Sequence, residues 1–290
     1  MDNTKLAYFG VGVNVALFGM KLWAGTASGS IAAVSDALNS LLDVFSYTAL
    51  SIAVWLHNQE PDEDHPFGHR RAEPLAGFII AIVAAILGGT IIKDAIVAFI
   101  VDEPLHVTSR ILMVLIAAVV IKAFQAVLYY AAARRSRSKA LMAGFIDARN
   151  DILSSLVVFI GVFVGGRYDE LAALFIGAWI LFSGIRIGME NAGYLMGRAA
   201  DPETIAMIEK TALAIAGVKG IDEIRAHFVG DRIHADVHIE VDSRLSVGEA
   251  HDISEQVKWA VDALPEIDNT FVHVDLFVGD NTEKEKEFTG

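Results

Sequence analysis

Residues 31–56 read IAAVSDALNSLLDVFSYTALSIAVWL, a stretch apolar and long enough to cross a bilayer that nevertheless carries Asp36, Asn39 and Asp43. Residues 140–165, ALMAGFIDARNDILSSLVVFIGVFVG, repeat the pattern with Asp147, Asn150 and Asp151. A charge near the bilayer centre costs about 2.5–3.5 kcal/mol on insertion scales, so these acids need a compensating partner. Asn39 and Asp43 are four residues apart, as are Asp147 and Asp151, and such pairs share one helical face. Two such faces form a cage of oxygen ligands for a cation; the competing reading is ligand-free hydrogen bonding between helices. Asp36 falls outside the spacing and is assigned to an entry path or to structure. Arg149 is the basic residue within these two segments, and Lys93, Asp94 and Lys122 of neighbouring spans are expected to snorkel or pair with one another.

The rest of the chain fits this frame. Over 290 residues the apolar share is 54% and the mean hydropathy +0.46, values of a membrane protein. Spans of about 20 apolar residues occur at 6–25, 31–56, 74–101, 110–133, 140–165 and 168–190. Six helices are therefore expected, the first retained because no small-residue cleavage site precedes Lys21. The connections GTASG, VDEPLHVTS and GGRYD hold one basic residue, Arg167. Residues 57–73 and 134–139 hold Arg70, Arg71, Arg134, Arg135, Arg137 and Lys139. That asymmetry places both termini in the cytoplasm.

Beyond Arg198 the periodicity becomes that of a soluble domain. Residues 199–290 carry 8 Lys+Arg against 20 Asp+Glu, so nearly all of the net −13 resides there. Such a tail attracts cations and repels nucleic acid, which is excluded as a partner. The absence of cysteine removes thiolate chemistry and leaves His, Asp, Glu and Asn as metal ligands. Asp201-Pro202-Glu203 starts a helix to about 216, and residues 221–229 and 232–241 alternate as strands. Ser246 and Glu249 have capping-box spacing for a helix to about 264, and a third strand runs from about 270 to 277. The expected fold is thus an all-α six-helix membrane domain (1–198), an α+β (αββαβ) metal-binding domain (199–279) and a disordered end (280–290).

Two further clusters are rich in ligands. The loop after the second span reads Pro61-Asp62-Glu63-Asp64-His65-Pro66-Phe67-Gly68-His69-Arg70-Arg71. Its histidines are four apart, as in a zinc-protease helix, but Pro66 takes the place of the glutamate and, with Gly68, spoils a helix. A divalent cation site and a solvated acidic loop are the two readings left. In strand 232–241, alternation places His234, Asp236, His238 and Glu240 opposite Ile233, Ala235, Val237, Ile239 and Val241. His273 and Asp275 share a face of the third strand, and His251 follows Glu249 on the second helix.

Gly29-Ser30 with the Asn39/Asp43 pair, the loop DHPFGHRRAEP, Asp147/Asp151 and the segments DVHIEVD, GEAHDIS and FVHVDLF together resemble the cation diffusion facilitators. Those are metal-proton antiporters with six spans and a cytoplasmic αββαβ domain. The resemblance covers nearly the whole chain. It implies an intramembrane transport site at Asn39, Asp43, Asp147 and Asp151, and a loop site at Asp62, His65 and His69. It also implies a tail site at Asp222, His238, His251, His273 and Asp275, near a homodimer contact. A family ion pair maps onto Arg71 and Gly197, which leaves Glu190 or Asp201 as substitutes. Zinc transporters of the family usually place a His in the intramembrane quartet; Asn with three Asp resembles the manganese-exporting branch, and oxygen ligands suit Mn²⁺.

The expectation is a divalent-metal exporter in a prokaryotic inner membrane. It would exchange Mn²⁺ for protons by alternating access, with the metal as cargo and regulator and no further cofactor. Zn²⁺ or Fe²⁺ as cargo is the runner-up, and a membrane-anchored metal sensor is the rival outside transport. No paired nucleophile and base suggests an enzyme.

Overall fold

The computed structural model of the protein describes residues 3–101, 107–136 and 139–277. The tail expected to be disordered, 280–290, and Arg137 lie outside the described residues. Six long helices come first: α1 (Asn3–Ser28), α2 (Ile31–His57), α3 (Ala72–Val101), α4 (Ser109–Ser136), α5 (Lys139–Val164) and α6 (Tyr168–Leu195). There follow α7 (Pro202–Leu213), β1 (Val218–Val229), β2 (Arg232–Val241), α8 (Val247–Asp262) and β3 (Ile267–Leu276). The αββαβ order is as expected, with element ends moved by a few residues.

Two compact units result: Met1–Leu56 with Leu75–Asn191, and His57–Pro74 with Ala192–Gly290. The loop between α2 and α3 therefore groups with the sheet, although the sequence places it among the spans. The same holds for residues 192–198.

In the first unit the usual distribution of polarity is inverted. Trp23, Ile86, Phe124, Phe163 and Phe182 are more than half exposed, whereas Asn14, Lys21, Asp36, Lys122 and Asp151 are buried. Such a surface is stable only where the surroundings are themselves apolar, so the unit is integral to a membrane. By length and composition α2, α3, α4 and α6 suffice to cross one. Of the other two, α1 carries Asn14 and Lys21, and α5 carries Asp147, Arg149, Asn150 and Asp151.

Two local devices align these helices. Between α1 and α2 the chain reverses at Gly29, whose φ of 72° favours a residue without Cβ. Ser30 Oγ then accepts from Ala33 N–H (3.0 Å) and donates to Asp169 Oδ1 (2.7 Å), whose Oδ2 accepts from Ala32 N–H (3.3 Å). The first turn of α2 is thus capped by its own serine and by a carboxylate from α6. The second device joins α3 and α6, where a Cβ added to Gly88 would lie 2.6 Å from Leu181 N and 2.7 Å from Gly177 O. Small residues let membrane helices approach closely, in the absence of a hydrophobic drive between them. Gly88→Ala should therefore cost about 1–3 kcal/mol through overpacking and lower the thermal midpoint of the detergent-purified protein. Gly89→Ala, whose added Cβ meets nothing within 4 Å, should not.

In the second unit β1 pairs antiparallel with β2, and β2 pairs parallel with β3 through the α8 crossover. Ile233, Ala235, Val237, Ile239 and Val241 are buried under Ile208 and Ala212 of α7 and Ile253, Val257 and Val261 of α8. Each fully buried aliphatic side chain is worth about 1.5–3 kcal/mol, so the alternation of β2 fixes which face the helices cover. The opposite face is left for His238, Glu240, His273 and Asp275. The capping box forms as the spacing requires: Ser246 Oγ accepts from Glu249 N–H and Glu249 Oε2 accepts from Ser246 N–H. Asp201 occupies the N-cap of α7 but makes no side-chain cap hydrogen bond.

Candidate metal centres

Helices α2 and α5 are joined by two separate hydrogen bonds at the four intramembrane residues, of which Asp151 is buried, Asn39 and Asp43 are half-buried and Asp147 is exposed. Among the described residues the three carboxylates do not close to within 4.8 Å of one another as the two histidine clusters do. Asn39 Nδ2 donates to Asp151 Oδ1 at 3.2 Å, and Tyr47 Oη donates to Asp147 Oδ2 at 3.2 Å. Asp43 Oδ2 is buried and has no hydrogen-bond partner. A buried carboxylate oxygen without a donor costs free energy, unless a cation is what it awaits.

The balancing charges come from helices that the Asp spacing does not involve. Lys122 of α4, 2% exposed, forms an ion pair with Asp151 Oδ2, and its Nζ donates to Asn14 Oδ1 of α1 at 2.5 Å. Lys21 of α1, fully buried, lies 2.8 Å from Asp36 Oδ2 and donates to Ser40 (3.3 Å) and Ser155 (3.0 Å). Asp36 accepts in addition from Ser154 (3.1 Å) and Ser155 (2.9 Å). Of the two sequence assignments for Asp36, the geometry is that of a structural ion pair.

The expectation for Lys122 is corrected. Lys93 and Asp94 pair with each other on the exposed surface at 3.0 Å, but Lys122 turns inward to Asp151. Arg149, the basic residue of the two segments, is exposed and, among the described residues, donates to Asn150. The signal that could have found the partners was present: Lys21 and Lys122 stand within apolar spans, where a basic side chain faces the bundle and pairs.

The loop cluster is built by two turns rather than a helix. Asp62 Oδ1 accepts from His65 N–H at 2.6 Å and lies 3.1 Å from His65 Nδ1; His69 Nε2 is 3.4 Å from Asp62 Oδ2. The backbone N–H of His65, seconded by its ring, holds the Asp62 carboxyl below the usual carboxylate range. Gly68, with φ of 76°, turns the chain so that the two imidazoles stand 4.5 Å apart. These three side chains offer two nitrogens and an oxygen within 4.8 Å of one another, a donor set that fits a divalent transition metal.

This loop is fastened to the sheet. Arg70 pairs with Asp231 at 3.0 Å and Asp268 at 3.3 Å, and Phe67 stands edge-on to His234 and Phe271. Arg71 makes no ion pair among the described residues and lines a cavity of about 510 Å³ with His65, Phe67, His227 and His234. The pairing that the sequence maps from Arg71 to the end of span six is a different contact; Arg70, one residue earlier, ties the loop to Asp231 and Asp268.

In the tail, His238, His273 and Asp275 form a second cluster within 4.8 Å, with His238 Nδ1 and His273 Nε2 each 3.4 Å from Asp275. Strand register explains it, since His238 stands opposite His273 and Glu240 opposite Asp275. Asp222 and His251 are not brought to this cluster. A bulge between Ile221 and Glu223 leaves Glu223, not Asp222, opposite His238. His251 is exposed on α8, which packs on the other face of the sheet.

Residues 7–196 match the cation efflux transmembrane domain, and residues 200–277 match the cytoplasmic domain of cation efflux proteins. The chain belongs to the cation efflux family. As a member it is a divalent metal cation efflux transporter, and its family is one of transporters rather than of enzymes. An uncharacterised transporter of Methanocaldococcus jannaschii is 34% identical over 91% of the chain and 94% of its own length. The manganese efflux system protein MneP of Bacillus subtilis is 28% identical over 94% of the chain and 96% of its own length. The magnetosome protein MamM of Paramagnetospirillum magneticum is 29% identical over 89% of the chain and 83% of its own length. Asn39, Asp43, Asp147 and Asp151 lie within the residues that match the transmembrane domain, and the two histidine clusters lie in the second unit.

Proposed function

We propose that this cation efflux protein exports Mn²⁺ in exchange for protons, with Asn39, Asp43, Asp147 and Asp151 as the cargo site. The observation that carries the reading is the donor set: four oxygen-bearing side chains, one with a buried oxygen that lacks any donor, and no imidazole among them. Oxygen ligation suits Mn²⁺ better than Zn²⁺, and the likeness to a manganese efflux protein over nearly the whole chain points the same way. Cargo enters from the cytoplasm and leaves on the far side as the helices rock. Protons that replace it there relieve the mutual repulsion of the carboxylates.

Both termini and the αββαβ domain lie in the cytoplasm, consistent with the basic residues of the α2–α3 and α4–α5 connections. The chain works as a homodimer in the inner membrane. The Asp62/His65/His69 and His238/His273/Asp275 clusters bind metal and sense its cytoplasmic level. Asp222 and His251 complete the tail site only if a second copy supplies them.

Metal-resolved flux in proteoliposomes tests the reading, with Mn²⁺, Zn²⁺ and Fe²⁺ offered separately. Manganese should move fastest, and Asn39→His should raise the Zn²⁺:Mn²⁺ flux ratio severalfold. An unchanged ratio would sink the argument from ligand type. Faster wild-type flux of zinc or iron would reassign the cargo, and metal binding by the tail without any flux would make the chain a sensor.

A further inference from the structure

Around the cargo site, Asp36, Asp43, Asp147 and Asp151 bring four formal negative charges and Lys21 and Lys122 two positive ones. The surplus is two negative charges, the amount that one dication cancels. Lys21 is fully engaged by Asp36 and two serines, none of them in the quartet. Lys122 differs, because its partner Asp151 is itself one of the four cargo ligands. Both oxygens of Asp151 are occupied, Oδ1 by the Asn39 amide at 3.2 Å and Oδ2 by the Lys122 ammonium. A dication at Asp151 with the ammonium still at Oδ2 would place two cations on one buried carboxylate, an arrangement that their mutual repulsion disfavours. The Lys122 ammonium has a second anchor in Asn14 Oδ1, 1% exposed and 2.5 Å away, which bears no charge and is not a cargo ligand.

From this arrangement, and resting on the quartet as cargo site, we infer that Lys122 is a tethered cation that exchanges places with the cargo. With no dication bound it neutralises Asp151. On binding it yields Asp151 and is retained by Asn14. On release its return to Asp151 helps expel the metal. Lys122 is thus a positioning and affinity-setting residue: it weakens binding to a level from which release is fast. A lysine fixed at Asp151 would also weaken binding through its charge, but the effect would not depend on Asn14.

The test is Mn²⁺ transport by the full-length protein in proteoliposomes, with thermal melting in detergent to establish folding. Lys122→Met should lower KM by about tenfold or more while also lowering the maximal rate, because a full positive charge is removed from the ligand shell and expulsion slows. Lys122→Arg should keep KM within about twofold of wild type. Asn14→Leu, which leaves Lys122 no anchor but Asp151, should raise KM severalfold, and it keeps the idea testable if Lys122→Met does not fold. A folded Lys122→Met or Asn14→Leu protein with wild-type KM, or a shift in the opposite sense, overturns the inference. If either result comes while Asp43→Ala is transport-dead, the cargo site stands and only the role of Lys122 falls. If Asp43→Ala transports normally, the cargo-site reading has failed and the inference fails with it.

Discussion

Asp43→Ala is expected to yield a protein that melts no lower than wild type, yet moves no more Mn²⁺ than empty vesicles. The two halves of this result have one cause. Asp43 Oδ2 is buried without a donor, so in the absence of cargo the side chain is a liability, and truncation removes an unsatisfied polar group worth about 1–3 kcal/mol. The same oxygen has no donor to give up before it meets a cation, so its loss removes cargo affinity directly. Asp151→Ala should also abolish flux but should destabilise, because it strands the buried Lys122 ammonium, and breaking a buried pair from one side costs about 3–5 kcal/mol. Transport by Asp43→Ala at the wild-type rate would show that the quartet is not the site. A large fall in its melting temperature would show that Asp43 is structural.

Asp36→Ala should impair folding by about 3–5 kcal/mol, the second large effect. Lys21 and Asp36 are both fully buried and 2.8 Å apart, and removal of the acid leaves an ammonium with hydroxyl partners alone. The double replacement Lys21→Met/Asp36→Leu should recover most of the lost stability, because apolar replacement of a buried ion pair is often neutral or favourable. It also leaves the surplus of two negative charges unchanged, so Mn²⁺ flux should persist. If Asp36→Ala folds and melts like wild type but loses flux, Asp36 belongs to the cargo path instead. Fluorescence-detected size exclusion, melting and flux on the three variants distinguish these outcomes.

The legible and illegible parts of this chain divide by the range of the interactions involved. The six long helices and the αββαβ order could be read because hydropathy runs, strand alternation and the Ser246/Glu249 box are local in sequence. The pairs Asn39/Asp43 and Asp147/Asp151 could be read because spacing alone puts each on one face of a helix. Asp222 and His251 illustrate the limit. Neither the bulge that displaces Asp222 from the strand register nor the face of the sheet that α8 covers follows from ligand counting. For the loop, spacing excluded a zinc-protease helix, but its attachment through Arg70 to Asp231 and Asp268 spans more than 160 residues and has no local signature.

By itself the sequence determined that the chain is a membrane protein with acids where lipid would forbid them, because hydration and periodicity act residue by residue. It also determined the chemistry of the proposed cargo site, oxygen without imidazole or thiolate, because ligand type is simply residue type. Only the tertiary structure decided which cations balance those acids. Lys21 and Lys122 lie on α1 and α4, far in sequence from Asp36 and Asp151, and a buried charge is satisfied by whatever neighbour the packing brings within hydrogen-bond reach. That packing pairs two of the four acids with lysines and leaves Asp43 and Asp147 without a basic partner in an ion pair among the described residues.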